Sequence, residues 1–121
     1  KILDKNNLSL IEKLIHPLVR KEMLSFTRGN KKKKFLFFEI PLLIESKLTK
    51  YFDITILIRS NKNLRLKRYL SNGGGKKLFH RLDIKQMKDI KKMKFCNHVV
   101  VNNKSLPVLK RKLLDIIKIY E

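Results

Sequence analysis

Gly73-Gly74-Gly75-Lys76 is the run whose residue types come nearest to phosphate chemistry. Glycines let backbone N–H groups wrap an anion, and a following lysine can neutralise it. The full pattern, however, is GxxxxGK[ST] on a turn that leaves a strand and opens a helix. Here Lys77 stands where Ser or Thr should follow, and the residues before the glycines read as a helix. The run is therefore read as a turn. The remaining glycine, Gly29, offers no second cradle. His16, His80 and His98 show no metal-ligand spacing with one another, and no Ser-His-Asp arrangement is recognisable. Cys96 is the single cysteine, which excludes an intrachain disulfide and a cysteine-based zinc site. It reads as a small buried apolar residue in a reducing, cytoplasmic protein.

Thirty Lys+Arg against ten Asp+Glu give the 121 residues a formal charge of +20. Such an excess suits a polyanion, either nucleic acid or an anionic membrane. It is mostly lysine, travels with many Asn and Ile residues, and is spread along the chain. An A+T-rich coding sequence would produce the same drift. No zinc-finger spacing, aromatic RNA-binding signature or helix-turn-helix accompanies the charge. A basic nucleic-acid-binding module is therefore the alternative reading, and anionic small ligands remain compatible. A hydrophobic content of 43% argues for a globular chain of one domain. No apolar run reaches the roughly 18 residues of a membrane span. Lys1-Ile2-Leu3-Asp4 has neither a signal-peptide pattern nor an initiator Met, so residue 1 is not expected to be a natural start.

The elements follow from periodicity. Leu8, Ile11, Leu14, Ile15, Leu18 and Val19 form one helical stripe over residues 8–26, with Asn7 as N-cap. Pro17 predicts a kink, or two helices meeting at Ile15-His16. Phe35-Leu36-Phe37-Phe38 predicts a strand buried on both faces, ended by Pro41. Residues 42–50 read as a short helix or turn. Ile54-Thr55-Ile56-Leu57-Ile58 predicts a second strand. Residues 61–70 and 78–93 read as helices around the glycine turn. Val99-Val100-Val101 predicts a third strand, Asn102-Asn103 its turn, and residues 106–120 a closing helix. Strands alternating with helices imply an α/β fold, a parallel sheet covered by helices. The long excursion between the second and third strands is what such folds use as a mobile lid.

On these elements lies a resemblance. Phe38-Glu39-Ile40-Pro41-Leu42-Leu43-Ile44-Glu45 resembles the "PLL-aromatic/aliphatic-E" motif of the dephospho-CoA kinase family. Leu14-Ile15-His16-Pro17-Leu18-Val19 is similar to its "HP-x-V" segment. Leu66-Lys67-Arg68 resembles its first lid arginine, and Arg81-Leu82-Asp83-Ile84-Lys85-Gln86 its "R-hydrophobic-x-x-x-Q" helix. Val99 to Asn103 resembles its last strand and Asn turn. The pieces stand in family order over about residues 8–120. Two positions depart: the second lid arginine falls at Asn72, and the "AD" before the last strand is Cys96-Asn97.

The resemblance implies a partial P-loop kinase fold with a helical lid, truncated at its N-terminus. It implies a core and substrate segment at about 8–60, a lid at about 61–95, and a last strand and helix at about 96–121. It implies transfer of the ATP γ-phosphate, as the Mg²⁺ complex, to the ribose 3′-hydroxyl of dephospho-CoA, the last step of coenzyme A synthesis. The Walker A lysine and catalytic Asp are expected upstream of residue 1, which would leave the fragment inactive alone. Within it, Arg68 and Arg81 are implied as catalytic lid cations, with Arg81 and Asn102 toward the nucleotide. His16, Pro41, Leu42, Leu43 and Glu45 are implied on the substrate side, and Gln86 as structural. No metal ligand is implied. The expected partners are ATP and dephospho-CoA, without membrane or nucleic acid, on a monomer. Another P-loop nucleotide kinase is the nearest neighbouring reading.

Overall fold

The structure, a computed structural model, describes residues 5–121, with the side chains of residues 5–12, 14 and 15 outside that description. The chain divides into two compact units, Lys1–Glu39 and Ile40–Glu121.

The first unit is built on helix α1 (Lys5–Gly29), which runs through Pro17 as one element. The alternative of two helices meeting at residues 15–16 is not what forms. Proline removes one backbone donor, while the bonds of the turns on either side remain. Asn7 lies inside the helix instead of capping it. Leu8, Ile11, Leu14 and Ile15 of the predicted stripe lie outside the described side chains. Of the rest, Val19 is half-buried and Leu18 exposed. The helix closes where Asn30 Nδ2 donates to the Phe26 carbonyl at 2.8 Å and Thr27 Oγ1 to that of Met23 at 2.8 Å.

The strand predicted at Phe35–Phe38 does not form. A strand exists by pairing, and among the described residues the two strands pair only with each other. Instead Phe38 packs edge-to-face on Phe26, ring centroids 5.5 Å apart, which ties the extended segment to the end of α1.

In the second unit the chain passes through a run of turns at residues 41–47 and a 3₁₀ turn (Thr49–Tyr51). It then forms β1 (Ile56–Arg59), α2 (Lys62–Ser71), α3 (Lys76–Lys85), α4 (Asp89–Met93), β2 (His98–Val101) and α5 (Leu106–Ile119). The strands pair in parallel, Ile56 opposite His98 through Arg59 opposite Val101. The parallel sheet with flanking helices matches the predicted class. Asparagines fasten both ends of the ladder. At the start, Asn97 Oδ1 accepts from the buried Thr55 N–H at 2.8 Å, and the Asn97 N–H donates to the Thr55 carbonyl at 2.9 Å. At the end, Asn103 Oδ1 accepts from the Asn61 N–H at 3.0 Å. Helix α5 packs on β2 and α4 on β1. Leu48, Phe79 and Val100 are the buried hydrophobic residues among those described.

The single helix predicted over 78–93 is two. Gln86 leaves α3 in an extended conformation, and Lys88 opens α4. At the break the Met87 N–H, which a continuous helix would direct to the Asp83 carbonyl, goes instead to the distant carboxylate of Glu45 at 2.9 Å.

Two helical turns end in the same way. After α2, the Gly73 N–H reaches the Leu70 carbonyl and the Gly74 N–H that of Tyr69, with Gly73 at φ +84°. This paired arrangement with a left-handed residue is a Schellman close. The Tyr69 ring also lies where a Gly74 Cβ would stand. The glycine run, read from the sequence as a turn, is thus the cap of α2. The turn after Pro41 closes likewise: Lys47 N–H to Ile44, Leu48 N–H to Leu43, with Lys47 at φ +55°. A lysine there carries steric strain that glycine lacks. Lys47→Gly is therefore expected to raise stability by about 1 kcal/mol, part of the strain relief being offset by glycine's backbone entropy. A chemical-denaturation midpoint that falls instead would contradict this.

Candidate active site

Three clusters in the second unit gather the chemically capable side chains. The first begins with the turn Pro41-Leu42-Leu43-Ile44-Glu45, whose Leu42 is held at φ +56°. A branched apolar residue in the left-handed region is costly, about 1–2 kcal/mol, and such strain collects at functional positions. Glu45 turns away from solvent. Its Oε1 accepts from the Met87 N–H and pairs with Lys92 Nζ at 3.1 Å, and Lys92 also donates to Gln86 Oε1 at 3.1 Å. The Lys92 side chain is only 10% exposed. Burial pushes the Glu45 carboxyl up, but the hydrogen bonds from the backbone and from Lys92 outweigh it, leaving the group below its ordinary value of 4.5.

The second cluster is an open cleft of about 750 Å³ past the carboxyl end of β1, lined by Arg59, Asn61, Lys62, Arg65, Lys67 and Asp89 among others. Parallel sheets bind ligands at this end. Three of its cations are held by acids: Arg59 by Asp89 at 3.3 Å, Lys62 and Arg65 by Asp83, each at 2.8 Å. The hydrogen bond from Lys62 and the contact with Arg65 hold the Asp83 carboxyl below 3.8 against a smaller opposing effect of burial. A depressed carboxyl contributes stability that is complete above the unfolded value and is lost as pH falls through the folded one. Thermal stability should therefore decline as pH drops below about 4. Asp83→Asn should flatten part of that decline. An unchanged pH profile in the variant would remove Asp83 from the account.

In the third cluster Arg68 reaches across from α2 to the turn after β2. Its Nη1 donates to the Asn102 carbonyl at 3.0 Å and its Nη2 to that of Lys104 at 3.3 Å. The Asn102 N–H in turn donates to the Arg59 carbonyl at 2.7 Å. Arg81 is exposed on α3, and His16 is half-buried on α1 in the other unit.

The structure thus joins Arg68 to Asn102, and Glu45 to the Gln86–Met87 break. It brings neither pair to Arg81. Sequence reasoning passed over Lys92, Asp83, Asp89, Lys62 and Arg65. One signal was available: with ten acids among thirty bases, each acid near an apolar helix face is a candidate partner for a buried cation. Among the described residues no three His, Cys, Asp or Glu side chains converge as metal ligands. No helix of the described residues is long and apolar enough to cross a membrane.

Comparison with known proteins falls on the same segments. The chain is 29% identical to a dephospho-CoA kinase of Bartonella quintana over 118 residues, 95% of this chain and 60% of that protein. It is 26% identical to one of Aggregatibacter actinomycetemcomitans over 122 residues, 97% of this chain and 58% of that protein. A shorter match, 36% over 58 residues, relates it to the dephospho-CoA kinase of Rickettsia bellii, covering 48% of this chain and 30% of the relative. The chain therefore spans less than two thirds of the length of these relatives. The family profile described as dephospho-CoA kinase matches residues 2–107, which takes in the Pro41 turn, the cationic cleft, both helices beside the glycine cap and the Asn102 turn. By that match over most of its length, the chain belongs to the dephospho-CoA kinase family.

Proposed function

We propose that the protein containing this chain transfers the γ-phosphate of ATP to the ribose 3′-hydroxyl of dephospho-CoA. The observation that carries the reading is the family match over residues 2–107. The cation-lined cleft at the carboxyl end of a parallel strand agrees with it in chemistry. Residues 1–121 contain no GxxxxGK[ST] pattern. The phosphate-binding loop and the residue that takes the hydroxyl proton are assigned to a segment outside these residues. Magnesium travels with ATP as the substrate complex, and no step is assigned to it here.

In this reading residues 61–95 act as the lid. Phosphoryl transfer needs positioning and neutralisation of charge more than covalent chemistry from the protein. Arg81, exposed on α3, closes over the triphosphate. Arg68 uses two of its five N–H donors on the Asn102 turn and keeps the others for phosphate oxygens. Asn102 stands beside the nucleotide. Pro41, Leu42 and Leu43 face the acceptor, and Glu45 holds their turn. His16, on α1, is assigned by the family resemblance alone to the dephospho-CoA side. The protein works in the cytoplasm as a monomer.

The test is an assay of the full reading frame for ATP-dependent formation of CoA from dephospho-CoA. Turnover that requires both substrates is the expected result. A folded, full-length protein that neither turns over nor binds dephospho-CoA would reject the proposal. Tight, salt-sensitive retention on nucleic acid without competition by nucleotide would instead favour the basic-module reading.

A further inference from the structure

Among the described residues Lys92 is the one buried lysine. Taking an ammonium from water is tolerated only where partners compensate it. It has two: Glu45 Oε1 and Gln86 Oε1, each at 3.1 Å. They belong to regions far apart in sequence. Glu45 ends the Pro41 turn, which is strained at Leu42 and closed by Lys47. Gln86 ends α3, the helix that carries Arg81. The same Glu45 oxygen accepts the N–H of Met87, the first residue past the α3 cap. A single carboxylate therefore reads both the α3–α4 break and the α4 lysine, and a shift of either element leaves a buried charge unpaired.

We propose that Lys92 is a positioning residue that, through Glu45 and Gln86, locks the Arg81-bearing helix α3 in register with the Pro41–Glu45 turn. The inference rests on the kinase reading above for its effect on turnover, but the tether itself is independent of it. Lys92 touches no reacting atom in this account. It sets where the lid cation and the acceptor-side turn stand relative to each other, and errors of about 1 Å in such placement can cost up to about a hundredfold in rate.

The test uses the full-length enzyme. Lys92→Met keeps the length of the side chain and removes the charge. It is expected to lower kcat at least about tenfold while KM for ATP stays within about threefold, because the phosphate-binding loop that holds most of the nucleotide is assigned outside these residues and Arg81 acts on the triphosphate mainly in the transition state. Lys92→Arg should recover most of the loss. The double variant Lys92→Met/Glu45→Gln should lose no more than the worse single variant, the signature of two residues acting as one. Amide exchange at Met87 should quicken in Lys92→Met. A variant that loses thermal stability yet keeps wild-type kcat and KM would assign Lys92 to folding alone and overturn the proposal. So would additive losses in the double variant. If Lys92→Met fails to fold, Gln86→Ala, which leaves the ion pair intact, decides by the same kcat and exchange readouts. If the wild-type enzyme does not act on dephospho-CoA, the kinase reading fails. Met87 exchange then still decides whether the tether exists.

Discussion

Replacing Arg68 with alanine is expected to cost the fold about 2 kcal/mol and the full-length enzyme about a hundredfold in kcat. The stability term comes from two hydrogen bonds of a charged donor, to the carbonyls of Asn102 and Lys104. Bonds from charged groups contribute about 1.5–3 kcal/mol each when buried. Here one is part-buried and the other exposed, and water replaces the lost donors in part. The catalytic term rests on the proposed lid role, since a guanidinium offered to a transferring phosphoryl group contributes strongly only where its charge develops. The two terms separate experimentally. Arg68→Lys keeps one positive charge but cannot span two carbonyls with a planar fork. It should therefore keep part of the turnover and lose most of the stability. A variant Arg68→Ala with normal kcat and a lowered denaturation midpoint would make Arg68 a purely structural strut for the β2–α5 turn.

Phe79→Ala is the other large loss, about 3–5 kcal/mol. Phe79 is among the few hydrophobic side chains of the described residues that reach burial, at 7% exposed. Its ring meets Tyr69 at 5.8 Å, and the Arg65 guanidinium lies over it at 5.7 Å. Removing the ring takes away the surface on which α2 and α3 pack and the aromatic face beneath Arg65, one of the two cations that hold Asp83. The effect should therefore exceed that of a methyl-sized cavity. Urea unfolding of the second unit measures it. A loss under about 1 kcal/mol would mean that α2 and α3 do not depend on this contact.

Much of this was legible from residue order. The β-branched run at residues 54–58 and the valines at 99–101, alternating with helices, implied a parallel sheet, and residues 56–59 and 98–101 pair in that sense. The glycine run after a helix was legible as a turn, and the structure makes that turn a helix cap, with Gly73 at positive φ and Gly74 clear of the Tyr69 ring. Helix α5 follows from its apolar period and from Pro107 in its first turn. The family resemblance, carried by the Pro41 turn and the arginine positions, stands on the match over residues 2–107.

What residue order alone left open were the long-range choices. Phe35–Phe38 has the composition of a strand, but a strand depends on a neighbour that composition does not supply, and none pairs with it. Residues 78–93 have the period of one helix. At the break the Met87 N–H is taken by Glu45, 42 positions away. Which of the chain's many lysines would be buried was not periodic information either, because Lys92 is singled out by two oxygens from other segments. Local propensity and spacing determine which elements can exist, because those energies act between neighbours along the chain. Which carboxylate meets which cation is decided only when distant segments pack, because a buried charge is tolerated solely where the fold brings its partner.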